Sequence, residues 1–235
     1  MPAEEQRLRQ AIADKPDSIV LHEELIQYFR DNQNYGAAIK AAEQALQQDT
    51  TSARLWDIKA ILHYENQDTL QAIQALERAV ELDAQPEYII SLGTAYAETK
   101  NPLALEMAQA LLMSPLAKAD LQAGFIQGLY YSHTAQYDKA IRIFDQLIRA
   151  DYTNVMAYRE KAIALLEQGK PSEAIPVLET ALEVQTTYEE GYYWLGKCFE
   201  QLKDTRKAIA AYQQALQLDP NYLEAQDALG RLGAR

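Results

Sequence analysis

Residues 189–222 read EEGYYWLGKCFEQLKDTRKAIAAYQQALQLDPNY and contain two amphipathic helical patterns with a short polar turn between them. Apolar side chains recur in both patterns at spacings of three and four, which places each set on one face of a helix. Asp204 is positioned to cap the second helix by accepting a backbone N–H, and Pro220 prevents that helix from continuing. Because neither helix can bury its apolar face alone, the stretch needs neighbours of the same kind.

The same pattern recurs every 34 residues toward the N-terminus, in units that begin at residues 155, 121, 87, 53 and 19. A small residue stands at the eighth place of most units, and Ala stands at the twentieth place of all but the third. Small residues at these places allow the two helices of one hairpin to approach closely. A period of this length indicates a solenoid of stacked helix hairpins. The eighth-place residues are Gly196, Ala162, Gly128, Thr94 and Ala60, with Ile26 as the exception.

A repeat of this length that reads aromatic, Leu-Gly, aromatic, Ala and Pro resembles the tetratricopeptide repeat (TPR). The resemblance covers residues 19–222 and is best in the sixth unit and poorest in the third. It implies an all-α fold, a right-handed superhelical solenoid of antiparallel helix hairpins. It implies little about function, since TPR arrays serve many unrelated tasks.

The predicted organisation is a capping half-repeat, six repeats and a capping helix. In the third repeat, the Leu-Gly pair fits only if the unit starts at Pro86, and the second half fits only if one residue is missing. The boundaries are 1–18 for the N-terminal cap, 19–52, 53–86, 87–120 (irregular), 121–154, 155–188 and 189–222 for the repeats, and 223–235 for the C-terminal cap.

The chain is acidic, with 22 Lys and Arg against 34 Asp and Glu and a net charge of −12. Binding to a nucleic-acid backbone requires a basic surface, so a nucleic-acid partner is disfavoured. Residues 1–117 contain 9 Lys and Arg against 18 Asp and Glu. This half is expected to favour basic partners, although an acidic surface also serves solubility alone.

The sequence contains no apolar run of the roughly 18 residues or more that a membrane span requires. Residues 1–10 are polar and do not resemble a signal peptide. A single cysteine, Cys198, excludes an internal disulfide. The expectation is a cytoplasmic protein without direct membrane insertion, and a chain whose export signal had been removed would look the same.

Candidate catalytic residues do not combine into a site. His22 and His63 fall at core aromatic places of their repeats, and His133 has no Cys or His at metal-ligand spacing. Cys198 stands where small residues pack between helices, and a buried thiol is inert. The sequence therefore predicts no enzyme, no metal site and no cofactor.

The resemblance to TPR proteins implies that the first helix of each hairpin lines a concave groove. In this family the second, fifth, ninth and twelfth places of a repeat face that groove. Apolar residues with charges among them suit an extended peptide or an amphipathic helix of a partner protein. The alternative is that these side chains pack on one another across neighbouring hairpins. The predicted groove residues are Arg54, Ile61, Tyr64, Ile90, Phe125, Leu129, Arg159, Ile163, Leu166, Tyr193 and Lys197.

One specific function of the family does not fit this sequence. Some TPR adaptors of chaperones hold the C-terminal carboxylate of a peptide with a clamp of Lys, two Asn, Lys and Arg from three successive repeats. The matching places in this chain hold Glu23, Gln27, Ile58, Glu87 and Ser91. A carboxylate clamp is therefore rejected.

The second helix of the third repeat carries another candidate surface, here called the outer stripe. Glu106 is the only charge on that helix, and apolar side chains take places that are polar in other repeats. As a contact surface the outer stripe would form a homodimer or bind a partner, for which adaptable Met side chains are suited. Alternatively, the missing residue rotates the helix and buries the stripe. The outer stripe consists of Leu103, Met107, Ala110 and Met113.

These features favour a non-enzymatic scaffold for protein–protein interaction, which binds a peptide or helix of a partner protein in its concave groove. The alternative is a structural subunit of a larger assembly, for instance an envelope or secretion complex. Such a subunit would use its outer face and its ends. The two hypotheses therefore differ in the surface that carries association.

Overall fold

The computed structural model describes residues 2–114 and 116–234, so Met1, Pro115 and Arg235 lie outside the described residues. All regular secondary structure within the described residues is α-helical, which confirms the predicted fold class. The helices are α1 (Ala3–Asp14), α2 (Ile19–Asp31), α3 (Tyr35–Gln48), α4 (Ala53–Glu65), α5 (Thr69–Leu82), α6 (Pro86–Glu98), α7 (Leu103–Leu112), α8 (Ala119–His133), α9 (Tyr137–Ala150), α10 (Val155–Glu167), α11 (Pro171–Val184), α12 (Glu189–Gln201), α13 (Thr205–Leu218) and α14 (Leu223–Arg231).

The chain forms two compact units, unit 1 (Met1–Tyr96) and unit 2 (Ala97–Arg235). In unit 1, helices α1 to α5 each pack on the next helix in sequence. The core of unit 1 joins four helices, because Leu8 of α1, Leu25 and Phe29 of α2, Ala38 of α3 and Leu62 of α4 belong to one buried cluster.

In unit 2, helices α7 to α14 each pack on the next, and α10 also contacts α8 and α12. The first helices of successive hairpins are therefore neighbours, as stacking of hairpins requires. Between α10, α11 and α12, the core contains Ala162, Leu165, Leu178 and Cys198. Alanine at the twentieth place, here Ala174, is fully buried because the two helices of the hairpin meet there.

Each hairpin turn contains one residue in the left-handed region, which ends the first helix. The following residue donates its N–H to the carbonyl five residues earlier, as from Asn34 to Phe29 (2.8 Å) and from Asp204 to Phe199 (2.9 Å). This arrangement satisfies carbonyls that the helix end leaves without partners. The left-handed residues are Gln33, Gln67, Lys100, Ala135, Gly169 and Lys203.

The positions of these turns show where the period is broken. Successive left-handed residues are 34, 33, 35, 34 and 34 residues apart. The chain is therefore one residue short before the turn at Lys100 and one residue long between that turn and the turn at Ala135. Helix α6 accordingly begins at Pro86, one residue earlier than the period would place it.

Two glycines at eighth places make room for aromatic side chains inside their hairpins. A Cβ added at Gly196 would lie 2.5 Å from the ring of Tyr212, and one added at Gly128 would lie 2.6 Å from the ring of Phe144. Both rings are fully buried. The small eighth-place residue therefore permits a bulky residue at the twenty-fourth place.

The ends of the helices follow the expected capping chemistry, with one difference. Asp204 accepts the N–H of Lys207 and caps α13, and Pro171 is the first residue of α11, where a missing N–H costs little. The difference is α7, whose N-cap residue is Pro102, which makes no capping hydrogen bond with its side chain. The side chain of Asn101, one residue earlier, accepts the N–H of Leu103 instead.

Candidate functional site

A pocket of about 420 Å³ lies between α2 and α4, the first helices of the first two hairpins. We call it the unit 1 groove. Its lining combines aliphatic side chains with two acidic and two basic residues. The lining residues are Val20, Glu23, Glu24, Ile26, Gln27, Arg30, Arg54, Ile58, Ile61 and Leu62.

Of the residues predicted for the groove, Arg54 and Ile61 line this pocket. Sequence reasoning omitted the first repeat, although the same four places would have selected its residues. The second, fifth, ninth and twelfth places of residues 19–52 are Val20, Glu23, Gln27 and Arg30, and all four line the unit 1 groove. The repeat places of the first repeat therefore indicate one wall of this groove from the sequence alone.

The apolar part of the unit 1 groove includes side chains that remain in contact with solvent. Val20 is 63% exposed and Ile61 is 40% exposed, whereas Ile26 and Leu62 are buried beneath them. Tyr64, another predicted groove residue, is exposed three residues further along α4. Covering such aliphatic surface contributes about 25 cal/mol per Å² of apolar area.

Two ion pairs connect α2 and α4 along the unit 1 groove. Arg54 donates from Nε to Oε1 of Glu23 (2.5 Å) and from Nη2 to Oε2 (2.9 Å). Nε of Arg30 donates to both carboxylate oxygens of Glu65, each at 2.8 Å. The hydrogen bond with Glu23 raises the pKa of Arg54. Both guanidinium groups in the groove are therefore already held by carboxylates.

Two further carboxylates lie at the unit 1 groove or beside it. Glu24 lines the pocket, and Asp57 stands one helical turn after Arg54 on α4. Within the described residues neither carboxylate takes part in an ion pair shorter than 4 Å. Burial raises the pKa of Asp57, and Arg54 partly opposes that effect. The pKa of Tyr88 is also raised, first by burial and then by Asp57.

At the corresponding places of unit 2, an arginine is enclosed rather than exposed. Arg159 donates to Glu160 (2.9 Å) and to Glu190, and the hydroxyl of Tyr188 donates to Glu190 (3.3 Å). Glu160 is buried, and burial raises the pKa of its carboxyl while Arg159 opposes the rise. The predicted groove residue Arg159 therefore forms part of a packed ionic cluster.

The aromatic residues predicted for the unit 2 groove pack against other rings. The ring of Tyr193 lies 5.4 Å from Trp194, 5.7 Å from Tyr212 and 5.3 Å from Tyr222, measured between centroids. Phe125 contacts the ring of Phe144 edge-on at 6.0 Å. These contacts are those of side chains that pack within and between hairpins.

The remaining predicted groove residues differ in their exposure to solvent, and only some of them line a pocket. Leu129 is 5% exposed and Leu166 is 7% exposed, so both are buried, and Ile90 and Ile163 are half-buried. A second pocket, of about 350 Å³, brings Leu166 and Lys197 together in unit 2. Its other lining residues are Glu167, Glu200 and Gln201, so it is more polar than the unit 1 groove.

The outer stripe on α7 is exposed at its two ends and half-buried between them. Leu103 is 38% exposed and Met113 is 82% exposed, while Met107 and Ala110 are half-buried. The neighbouring Leu112 adds to the exposed apolar surface. The helix therefore presents apolar side chains to solvent at its two ends.

Two of the residues considered for catalysis, His22 and Cys198, are buried in the core. His22 is buried, and its Nε2 lies 2.9 Å from the carbonyl of Pro16. Burial raises the pKa of Cys198 to about 12, which keeps the thiol protonated. Residues 2–114 and 116–234 contain no cluster of three or more His, Cys, Asp or Glu that could hold a metal ion. The helices of the same residues include none that is long and apolar enough to span a membrane.

A family model described as tetratricopeptide repeat matches residues 23–89, 127–183 and 159–222. The Hsp70-Hsp90 organizing protein of Triticum aestivum is 24% identical over 174 residues, which cover 74% of this chain and 25% of that protein. The DnaJ homolog subfamily C member 3 of Gallus gallus is 24% identical over 196 residues, covering 82% and 37% respectively. The chain thus spans between a quarter and two fifths of the length of these two relatives.

Solved structures share the fold at low sequence identity. A tetratricopeptide repeat protein from Parabacteroides merdae aligns with a TM-score of 0.83 at 18% identity, over 97% of this chain and 91% of that one. The type IV pilus biogenesis factor PilW aligns with a TM-score of 0.66 at 16% identity, over 89% of this chain and 97% of that one. At these identities the likeness establishes the fold alone.

Proposed function

Because the chain belongs to the tetratricopeptide repeat family, we propose that it is a non-enzymatic scaffold that binds a segment of a partner protein in the unit 1 groove. Scaffolding of protein–protein interactions fits the family, and it fits the Hsp70-Hsp90 organizing proteins that the chain resembles. The resemblance covers only part of those proteins, so their partners are not assigned to this chain.

The observation that carries the proposal is the open, partly apolar pocket between α2 and α4. Val20 and Ile61 project toward a space of about 420 Å³ with their aliphatic surface exposed to solvent. A pocket of this size accommodates one or two side chains of a partner, and clefts of this kind are where peptide segments dock on helical surfaces. Ion pairs between α2 and α4 hold the spacing of the two helices.

The first test is crosslinking and capture of partners in cells, compared between the wild-type protein, Ile61→Glu and Leu70→Glu. Leu70 is an exposed leucine on α5 that does not line the groove, so it controls for the charge and for the loss of an apolar side chain. We expect Ile61→Glu to lose partners that Leu70→Glu retains, with helix content equal by circular dichroism. Identical partner lists for the two variants would contradict the proposal.

A second candidate function uses the outer stripe, because Leu103 at the start of α7 and Met113 just after its end expose apolar surface. In this case the protein is a structural subunit that associates through α7, with a second copy or with another subunit. Leu103→Glu would then abolish association while Ile61→Glu would not. Light scattering after size-exclusion chromatography separates a homodimer from a complex with another protein.

A further inference from the structure

We propose that the segment bound in the unit 1 groove is cationic, with a Lys or Arg side chain on each side of an aliphatic one. The inference rests on the proposed function, and it adds the chemistry of the partner. It follows from three features of the groove: its exposed apolar floor, its arginines that are held in ion pairs, and nearby carboxylates that are not.

The apolar floor of the groove selects the central side chain of the segment. Ile58 and Ile61 of α4 face Val20 of α2 across the pocket. An aliphatic side chain placed between them would cover the exposed surface of Val20 and Ile61 without leaving a polar group unsatisfied. A charged or amide side chain in the same position would lose its water contacts on this surface.

The cations of the groove are not available to an anionic ligand. Arg54 and Arg30 each donate two or more hydrogen bonds to a carboxylate, Glu23 and Glu65 respectively. Such two-point pairs are among the stronger charge-assisted contacts in proteins. An anionic peptide would have to separate one of these pairs, or bind beside it without a cationic partner of its own.

Two carboxylates, one lining the groove and one beside it, are by contrast available to a cationic ligand. Glu24 lines the pocket, Asp57 lies beside Arg54, and neither is in an ion pair within the part of the chain that the structure describes. Burial already disfavours the charged form of Asp57, so a cationic group beside it would relieve that penalty. Arg54 and Arg7 are the cations whose charge acts on these carboxylates, and Arg7 is fully exposed on α1.

The surrounding charge favours approach of the same kind of partner. Residues 1–96 contain 8 Lys and Arg against 16 Asp and Glu, a net charge of −8. A field of this sign accelerates encounter with cationic segments and slows encounter with anionic ones. The short-range and long-range electrostatics of unit 1 therefore select the same partner chemistry.

The test uses random peptides displayed on phage and selected on the immobilised full chain. We expect selected sequences to share Lys or Arg around an aliphatic residue. A synthetic peptide with the consensus should bind the wild-type protein, and the same peptide with Glu in place of its cations should not bind. Selection of neutral or acidic consensus sequences, or no enrichment above the bare support, would overturn the inference.

Charge neutralisation on the protein gives a second, quantitative test. The double variant Glu24→Gln with Asp57→Asn removes one carboxylate that lines the groove and one that lies beside it, and we expect about a tenfold rise in Kd for the cationic peptide. Glu4→Gln with Glu81→Gln changes the net charge equally on α1 and α5, outside the groove, and should change Kd by less than about twofold. Equal effects of the two double variants would overturn the inference.

Ile61→Gln distinguishes failure of this inference from failure of the proposed function, because it removes the aliphatic side chain without adding a charge. If the selected peptides are not cationic but lose binding in Ile61→Gln, the groove is the binding surface and only its partner chemistry is wrong. If the selected peptides bind Ile61→Gln as well as wild type, the groove itself is not the site.

Discussion

Units 1 and 2 each contain an ion pair that joins the fifth place of one repeat to the second place of the next. The two pairs differ in their exposure to solvent. In unit 1, Glu23 at a fifth place pairs with Arg54 at the second place of the next repeat, 31 residues later. In unit 2, Arg159 pairs with Glu190 at the same two places and the same separation. The first pair borders an open groove, whereas the second is enclosed with Glu160.

The difference shows that a residue's place in the repeat specifies the direction of its side chain, but not how far that side chain is exposed to solvent. Ile61 and Leu129 both occupy ninth places, yet Ile61 is exposed and Leu129 is buried. Large neighbours account for the packing in unit 2, where Tyr193 is in contact with the rings of Trp194 and Tyr212. Apolar character at a groove place therefore indicates a binding surface only where the neighbouring side chains leave space.

The largest effect is expected from removing the enclosed arginine. Arg159→Met leaves Glu160 and Glu190 without their cation, and loss of one partner of a buried pair costs about 3 kcal/mol. Arg54→Met removes the matching cation of unit 1, whose side chain is 69% exposed, and should cost about 0.5 kcal/mol. Urea denaturation measures both free energies of unfolding, and equal losses would show that the two pairs do not differ as described.

A smaller loss is expected from filling the space that an eighth-place glycine provides. Gly196→Ala would bring a Cβ to 2.5 Å from the buried ring of Tyr212, and overpacking of this kind costs about 2 kcal/mol. Gly36 lies in α3 of unit 1 and a Cβ there meets no atom within 4 Å. Gly36→Ala should therefore stabilise the protein by about 0.5 to 1 kcal/mol. A destabilising Gly36→Ala or a neutral Gly196→Ala in thermal unfolding would contradict this packing.

Unit 1 buries two histidines, His22 and His63, and of these two His63 has no hydrogen-bond partner. Both ring nitrogens of His63 are buried without a partner, and Asp68 is 3.8 Å away. Burial lowers the pKa of His63, with Lys59 acting in the same direction and Asp68 and Glu43 opposing it. The unfolded chain therefore binds a proton more readily than the folded chain.

It follows that His63 destabilises the fold as the pH decreases below its unfolded pKa of about 6.5. His63→Leu should stabilise the protein by about 1 kcal/mol at neutral pH, because it removes two unsatisfied nitrogens. The advantage should increase at lower pH by up to about 1.4 kcal/mol per pH unit until the folded pKa is passed. An advantage that stays constant with pH in denaturation experiments would exclude this role for His63.

The smallest effects are expected at the hairpin turns. Gln67 adopts a φ of 60° in a turn of unit 1, and Gly169 adopts a φ of 81° in a turn of unit 2. Residues with a Cβ are strained in this region by about 1 kcal/mol. Gln67→Gly should raise the melting temperature and Gly169→Ala should lower it, in opposite directions and by similar amounts. Shifts of the same sign would show that the two turns differ in conformation.

Most of the fold could be predicted because its determinants are local and repeat along the chain. The 34-residue period, the cap at Asp204 and the early start of the third repeat at Pro86 all follow from residue type and spacing. The start of α7 depends on finer detail, because Pro102 occupies the N-cap position while the side chain of Asn101 accepts the N–H of Leu103.

The site was predictable in part. Of the residues that the repeat places select, Arg54 and Ile61 line one pocket, and the same places in the first repeat hold Val20, which lines it too. Opposite charges 31 residues apart, as in Glu23 and Arg54, are a further signal in the sequence. The burial of Leu166 cannot be predicted from its place in the repeat, because it depends on the size and orientation of side chains on other helices.

The most direct test of the account compares two glutamines that occupy groove places, one in each unit. Gln27 lies in the unit 1 groove, and Gln122 is an exposed second-place residue of α8 in unit 2. Each is replaced in turn by a photo-crosslinking amino acid, and the protein is irradiated with the selected cationic peptide. We expect the peptide to be crosslinked from position 27 and not from position 122. Crosslinking from position 122 alone, or equally from both, would contradict binding in the unit 1 groove.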